Sequence, residues 1–409
     1  MRCHHFESGA CRSCTLLDRP GDERLAQVRG RVESLLASHL APGAAFGAPI
    51  LSPDSGFRAR GKMAVGGTAA APVLTLPGQS VGTDLCDCPL YPDGVEEVLD
   101  GVKQLIRRAQ VPPYDVARRR GEIKNVLVTA SPEGEHLLRL VLRSDRALPR
   151  LREHLPALLD AHPSIIAVSA NIHPDHTTAV EGAEEIPLAG AASIPVRTGD
   201  VTLHARPQSF LQTNTDVAGQ LYRQGAAWAR RIAAERGAED GEGLRIWDLY
   251  CGLGGFALHL ARALPRARVT GVEVSAQAID GARDAAAEAG IAGATFHTAD
   301  ATAWALDEAA GPAGPPDLAV VNPPRRGLGP ALATWLEDSG VPDVLYSSCH
   351  PDSLAADLAA MPSLRITAGR FVDMFPHTAH AEVIVRLRRS ATAAATQTET
   401  PTPTPQGAP

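Results

Sequence analysis

Residues 244–256 read LRIWDLYCGLGGF. A short run of branched and aromatic residues (244–249) is followed at once by a glycine-rich turn and then by a stretch rich in Ala and Leu. That order predicts a strand, a tight turn and a helix. Glycine tolerates the left-handed backbone of such a turn and lets the main chain come close to a ligand. Working outward, VTGVEV (269–274) predicts the next strand, and a helix follows from Ser275 to Ala289. ATFHTAD (294–300), DLAVVN (317–322), DVLYSS (343–348), FVDMF (371–375) and EVIVRL (382–387) predict the later strands. Strand–helix alternation from about residue 197 argues for an α/β class: a doubly wound, largely parallel, Rossmann-like sheet over 197–390. Ligands of such sheets gather beyond the C-terminal ends of the strands.

Upstream the pattern differs. KMAVGG (62–67), PVLTLPG (72–78) and SIIAVSANIHP (164–174) are short apolar runs between turn signals, and residues 124–145 carry a hairpin signature around SPEGE. These predict an α+β module over 45–196. Residues 1–19 read as a compact Cys- and His-rich loop. Leu25, Val28, Val32, Leu35 and Leu36 recur at helical spacing within 22–40, giving an N-terminal unit over 1–44. The stretch 391–409, rich in Thr, Pro and Ala, lacks apolar periodicity and reads as a disordered tail.

The chain has 409 residues, 44% hydrophobic and 21% charged, which fits two or three globular domains and excludes a fibrous repeat or global disorder. No apolar run reaches the roughly 18 residues that a membrane helix needs, and the start has no apolar signal core. A cytoplasmic setting is expected, so the seven cysteines read as metal ligands, nucleophiles or bystanders rather than a disulfide framework. Net charge is −7, yet residues 101–152 hold twelve Lys/Arg against five Asp/Glu, leaving the rest at −14. That basic segment is either a solvated face or an electrostatic footprint for phosphate.

Five groups of residues carry chemistry. Asp248 to Gly255 (DLYCGLGG) is not a full phosphate-binding G-x-G-x-x-G. With Glu273 ending the next strand, where a carboxylate can accept from ribose hydroxyls, it suits a nucleoside without phosphates such as S-adenosylmethionine. Asp300 reads as an adenine contact or a helix cap. Asn322-Pro323-Pro324-Arg325 stiffens a strand end around an amide that both donates and accepts, a way to orient a planar base. Cys349 in Ser347-Ser348-Cys349 would face the same cleft, whereas Cys251 inside the glycine turn reads as packing. Glu382 in FPHTAHAE (375–382) is a candidate general base, with His377 or His380 ordering its loop. Cys3, Cys11 and Cys14, with Cys86 or Cys88 as a fourth, form a ligand set for a [4Fe–4S] cluster or Zn²⁺.

Together, CRSC, CDCPLYP, RPQSFLQTN, WDLYCGLGGF, VNPPRRG, SSC and FPHTAHAEV resemble the S-adenosylmethionine-dependent RNA uracil-C5 methyltransferases, from Met1 to about Arg388. The resemblance is closest to the short bacterial branch acting on uridine 747 of 23S rRNA. The cluster cysteines begin at residue 3, leaving no room for the N-terminal RNA-binding barrel of larger relatives, and the loop reads NPPRRG where other branches carry Asp. The resemblance implies Cys349 as nucleophile and Glu382 as the base that takes the C5 proton. It implies Gln212, Tyr250, Glu273 and Asn322 as methyl-donor contacts, and Cys3, Cys11, Cys14 and Cys88 as [4Fe–4S] ligands, with Cys88 chosen because the family ligand precedes Pro. It further implies a monomer acting on 23S rRNA, without DNA or membrane partners. Two departures stand out: His350 where Asn is expected, and Tyr250 where Phe is expected. Rival readings are the same chemistry on another 23S uridine or a tRNA T-loop, an amino-group methyltransferase, and a non-catalytic RNA-binding adaptor.

Overall fold

The computed structural model describes residues 1–77, 82–177 and 179–390; the expected disordered tail (391–409) lies outside the described residues. The chain opens with a single helical turn, α1 (His4–Glu7), and an amphipathic helix, α2 (Gly21–Leu36). Val28, Val32 and Leu36 form the buried stripe of α2, joined by an unexpected buried Arg24. From there the chain runs along the far edge of the C-terminal sheet. Leu40, Phe46 and Ile50 pair in parallel with Ile366, Gly369 and Val372 and cover that edge.

A six-stranded sheet follows. Its strands are β1 (Arg60–Gly67), β2 (Pro72–Thr75), β3 (Ile123–Ala130), β4 (His136–Leu142), β5 (Ile165–Ile172) and β6 (Glu184–Gly190), in the spatial order β2-β1-β3-β4-β5-β6. The β3–β4 hairpin is antiparallel and turns at 131–135, where the sequence signals it. Two helices, α3 (Val95–Arg108) and α4 (Leu148–Ala161), pack on this sheet. Leu148, Leu151, Leu155 and Leu158 line one face of α4 and are all buried, each worth about 1.5–3 kcal/mol of transfer free energy. The α4 crossover makes β4 and β5 parallel.

A two-stranded ribbon, β7 (Ile194–Thr198) and β8 (Val201–Ala205), and the long helix α5 (Thr215–Glu235) lead into the C-terminal sheet. Its strands are β9 (Arg245–Leu249), β10 (Arg268–Glu273), β11 (Ala294–Thr298), β12 (Leu318–Val321), β13 (Asp343–Ser348), β14 (Leu364–Val372) and β15 (Glu382–Arg389). The order is β11-β10-β9-β12-β13-β15-β14; β15 alone runs against the other six, antiparallel to β13 on one side and to β14 on the other. The strand expected at 371–375 is β14, which ends at Val372. Met374 is buried in the core without belonging to a strand, so its apolar character misplaced the element.

Helices cover both faces. With α5, α6 (Gly255–Ala263) and α7 (Ala276–Glu288) bury Ile246, Val320, Leu345 and Ile384 on one side. On the other, α2, α8 (Ala301–Ala310), α9 (Pro330–Asp338) and α10 (Pro351–Ala360) bury Trp247, Val321, Tyr346 and Val385. Successive strand residues point to opposite faces, so Ser347 and Glu382 share the α5 side.

Candidate active site

The site lies at the C-terminal ends of β9, β10, β12 and β13, where β15 begins. The turn after β9 is built on backbone that only small residues adopt freely: Gly252 (φ 53°), Gly254 (φ 81°) and, against that rule, Tyr250 (φ 67°). A Cβ on Gly255 would meet the Tyr222 ring at 2.4 Å, so that glycine is required for α6 to pack on α5. A Cβ on Gly252 would meet nothing within 4 Å, so this glycine borders open space.

Two carboxylates hold the turn. Glu273 Oε2 accepts from Gly252 N–H (3.3 Å) and Oε1 from Ser275 N–H (3.0 Å). Asp248, fully buried, accepts from Ala257 N–H through Oδ2 (2.9 Å), while its Oδ1 has no partner. Burial, with Glu273 nearby adding repulsion, pushes the Asp248 carboxyl up to about 7. Asp300 is a helix cap: its Oδ1 accepts from Ala303 N–H at the start of α8 (2.9 Å). Cys251 is buried in the core as packing. Gln212 is nearly buried just ahead of α5. Its loop crosses the start of α7, where Gln208 and Gln277 bond to each other (3.3 and 3.2 Å).

Asn322 directly follows β12, half-buried, beside the end of β9. The loop after it is tied down from α10. Asp357 Oδ2 accepts from Leu328 N–H (2.9 Å) and from the Tyr346 hydroxyl (2.6 Å), and Ser353 Oγ donates to the Arg325 carbonyl (2.7 Å). The start of α10 immediately follows Cys349. His350 caps it, its Nδ1 accepting from Ser353 N–H (3.2 Å). An N-cap Asn would satisfy the same orphan donor, which is why this departure from the family pattern leaves the local fold intact.

Cys349 is half-buried at the mouth of the site. Burial and the nearby Glu382 charge push its thiol up, and the Arg325 guanidinium opposes them. Glu382 is fully buried, not solvated as the start of a strand usually is. Its Oε1 accepts from Ser347 Oγ–H at 2.5 Å, and its Oε2 has no partner. Burial raises the carboxyl to about 7, and the Ser347 hydrogen bond works against that rise. The structure therefore brings Cys349, Glu382 and the Asn322–Arg325 loop to one mouth. Sequence reasoning missed Ser347 and Asp357. The only available signal for Ser347 was strand alternation, which puts it on the face of Glu382.

The loop before Glu382 is ordered by His377, which has φ 67° and is inaccessible to solvent. Arg24 Nη1 donates to its Nδ1 (2.9 Å), so the proton sits on Nε2, which donates to the Asp54 carbonyl (2.6 Å). His377 O accepts from Leu16 N–H (2.9 Å).

Leu16 belongs to the cysteine-bearing loop. Cys3, Cys11, Cys14 and Cys88 line one cavity of about 70 Å³ with Arg58 and Tyr91. Burial and the crowding of Cys88, Cys11 and Cys3 push the Cys14 thiol up to about 11. Cys86 is instead buried in the core beneath the six-stranded sheet. His5 Nε2 meets Asp87 Oδ1 at 2.6 Å and clasps the N-terminal loop to the Cys88 segment.

Known proteins carry the same plan. Residues 246–313 match the model of a methyltransferase domain. A 23S rRNA (uracil(747)-C(5))-methyltransferase RlmC of Halothiobacillus neapolitanus is 42% identical over 95% of this chain and 100% of its own length. The protein of that name from Shewanella amazonensis is 41% identical over 96% of this chain and 98% of its own. This chain belongs to the 23S rRNA (uracil(747)-C(5))-methyltransferase family. The crystal structure of Pyrococcus abyssi tRNA (uracil-54, C5)-methyltransferase with S-adenosyl-L-homocysteine superposes with a TM-score of 0.71 at 22% identity, covering 91% of this chain and 85% of that one. The shared fold thus extends across both sheets of this family member, well beyond the methyltransferase domain. No helix among the described residues is long and apolar enough to cross a membrane.

Proposed function

We propose that this chain transfers a methyl group from S-adenosylmethionine to C5 of uridine 747 in 23S rRNA, working in the cytoplasm as a monomer. The observation that carries the reading is the meeting of Cys349 with Glu382, whose one free carboxylate oxygen is buried at the mouth of a nucleoside-type pocket.

The residues fit the methyl donor. Glu273 keeps a lone pair on each oxygen for ribose hydroxyls, and Gly252 leaves open space beside them; Tyr250, Gln212 and Asn322 are the further donor contacts in this reading. S-Adenosylmethionine supplies an electrophilic methyl group. Cys349, as thiolate, adds to C6 of the uracil, and the electron pair of the C5=C6 bond gives C5 enolate character. Asn322 and Arg325 hold the base so that C5 lies in line with the methyl group; as the C5–CH3 bond forms, the methyl–sulfur bond breaks and S-adenosylhomocysteine leaves with that electron pair. Glu382 Oε2 removes the C5 proton, the double bond re-forms, and the Cys349–C6 bond breaks to release the thiolate. C6 is reachable only in an unstacked base, so a loop or flipped uridine is the substrate.

Cys3, Cys11, Cys14 and Cys88 would hold a [4Fe–4S] cluster. The support is the donor set: Cys3, Cys11, Cys14 and Cys88 line one cavity, and the alternative Cys86 is buried in the adjoining core without lining it. Such a group would cross-link the N-terminal loop to the central sheet. Anaerobically purified protein should contain iron and sulfide; zinc in their place would overturn the assignment. Arg118, Arg119 and Arg120, exposed on the turn closed by the Asp115–Arg120 bridge, are proposed phosphate contacts, with Arg118 also paired to Asp115 (3.6 Å). The Lys124 ammonium, in the same basic segment, donates to the Asp175 carbonyl (2.7 Å).

The test is labelled methyl transfer to unmodified 23S rRNA and tRNA transcripts, mapped by mass spectrometry, with Cys349→Ala alongside. 5-Methyluridine at one 23S position, lost in the variant, is expected. Product in tRNA would overturn the substrate, and methylation surviving in Cys349→Ala would overturn the covalent route.

A further inference from the structure

One cavity among the described residues lies apart from the glycine turn and from the Cys349–Glu382 pair. It is an open depression of about 570 Å³ along the outer face of α5. Gln220, Arg223, Gln224, Ala227 and Arg230 recur there at helical spacing and form its floor. Arg262 of α6 borders one side and Arg370 of β14 the other. Four guanidinium groups therefore face one concavity, and Asp200 is the one carboxylate lining it. Asp200 pairs with Arg223 (2.7 Å), and Arg370 bonds to Gln224 and to the Ala48 carbonyl. Arg230 and Arg262 are exposed and form no ion pair within 4 Å among the described residues. In a chain of net charge −7, this depression carries a local charge of +3, and of its four guanidinium groups Arg223 alone has a carboxylate partner among the described residues.

We infer that this depression is a second RNA-binding surface, which grips the sugar–phosphate backbone of the substrate outside the target loop. This rests on the reading of the chain as an rRNA methyltransferase. Guanidinium forks match phosphate oxygens in pairs. The cations sit on three different elements, and Arg223 and Arg230 alone are about 10 Å apart along α5. That spread suits an extended polyanion rather than one phosphate group. The position is also suitable. Arg370 lies two residues from Val372, which pairs with Glu382, so the depression begins about 7 Å along the strand from the level of the catalytic base. The surface is distinct from the Arg119–Arg120 turn, which lies in the central module.

The experiment compares wild type with Arg230→Glu/Arg262→Glu and with the milder Arg230→Gln/Arg262→Gln. Both sites are exposed, and thermal melts check that each variant folds. Binding to a 23S fragment carrying the target loop and its flanking helices is measured across salt concentrations. Methyl transfer is measured on that fragment and on a minimal hairpin too short to reach α5. Expected are at least a ten-fold weaker affinity for the long fragment in the Glu pair, a salt slope shallower by about one to two, and unchanged methylation of the minimal hairpin. Equal affinity and slope in wild type and both variants would overturn the inference while leaving the enzyme assignment intact. A wild type that neither binds nor methylates the fragment would overturn both.

Discussion

Glu382 has to be a carboxylate when it takes a proton, yet its burial opposes ionisation. With its carboxyl raised to about 7, the ionised fraction grows as pH rises through neutrality, so the rate constant for turnover should climb between about pH 6 and 8 and then level. The Ser347 hydroxyl is the donor that keeps the shift from being larger. Ser347→Ala removes a hydrogen bond to a charged group, worth about 1.5–3 kcal/mol, and the acid limb of the pH–rate profile should move up by about one to two units. A profile that keeps its limb while activity merely falls would show that Ser347 only packs. Glu382→Gln separates the steps differently. Cys349 still adds to C6, but no base removes the C5 proton, so turnover should fall by about 10²–10⁴-fold and a protein–RNA adduct should persist on a denaturing gel. None of this was legible in the sequence beyond the identity of the two reactive groups. A Glu opening a strand reads as solvated, and its burial comes from β13 beside it and α5 above it.

At the scale of elements, the loop from Asn322 to Gly329 decides whether the base is held against the nucleophile. It has no regular structure of its own and is shaped by α10. Gly327 has φ 82°, and a Cβ there would meet Asp357 Oδ2 at 2.5 Å, the atom that anchors Leu328 and Tyr346. Gly327→Ala should therefore lower unfolding stability by about 1–3 kcal/mol. It should also weaken S-adenosylhomocysteine binding, because the anchor moves and Asn322 moves with it. Calorimetric titration together with a urea midpoint checks both, and unchanged ligand affinity would show that the anchor serves only the fold. Of the parallel strands, β12 was readable because it is an unbroken apolar run buried on both faces, and β9 and β10 because an apolar stretch runs straight into a turn and a helix; the edge strand β11 is mostly exposed and was read from its place in the alternation. α3, α4 and α5 were not singled out. Their apolar residues sit at helical spacing, but in the central module they follow short β-like runs so closely that the change of period is easily passed over. The doubled helix coverage of the C-terminal sheet shows α2, an N-terminal element, packed among C-terminal ones. That is a long-range placement no local pattern reports.

At the scale of the whole molecule, the first and last parts of the chain are one structure. α2 fills the face of the C-terminal sheet opposite α5, the segment from Leu40 to Ile50 closes the β14 edge, and the cysteine loop meets the loop ahead of Glu382 at Leu16–His377 and Thr378. The strained His377 persists because three partners over-determine it: Arg24 on Nδ1, the Asp54 carbonyl on Nε2 and Leu16 N–H on its own carbonyl. Arg24 is the one whose removal leaves the rest of the site untouched, since it lies on α2 and touches neither pocket. Arg24→Gln takes the charged donor from a buried imidazole nitrogen and should cost about 1–3 kcal/mol of stability. The functional consequence differs from that of a defective RNA surface. The loop carrying Glu382 would hold its base less well, so kcat should fall while affinity for the 23S fragment and for S-adenosylhomocysteine stays at the wild-type level. Loss of RNA affinity in step with kcat would mean that the N-terminal segment acts through the RNA-facing surface instead, and the mechanical link from the cysteine loop to the base would have to be given up.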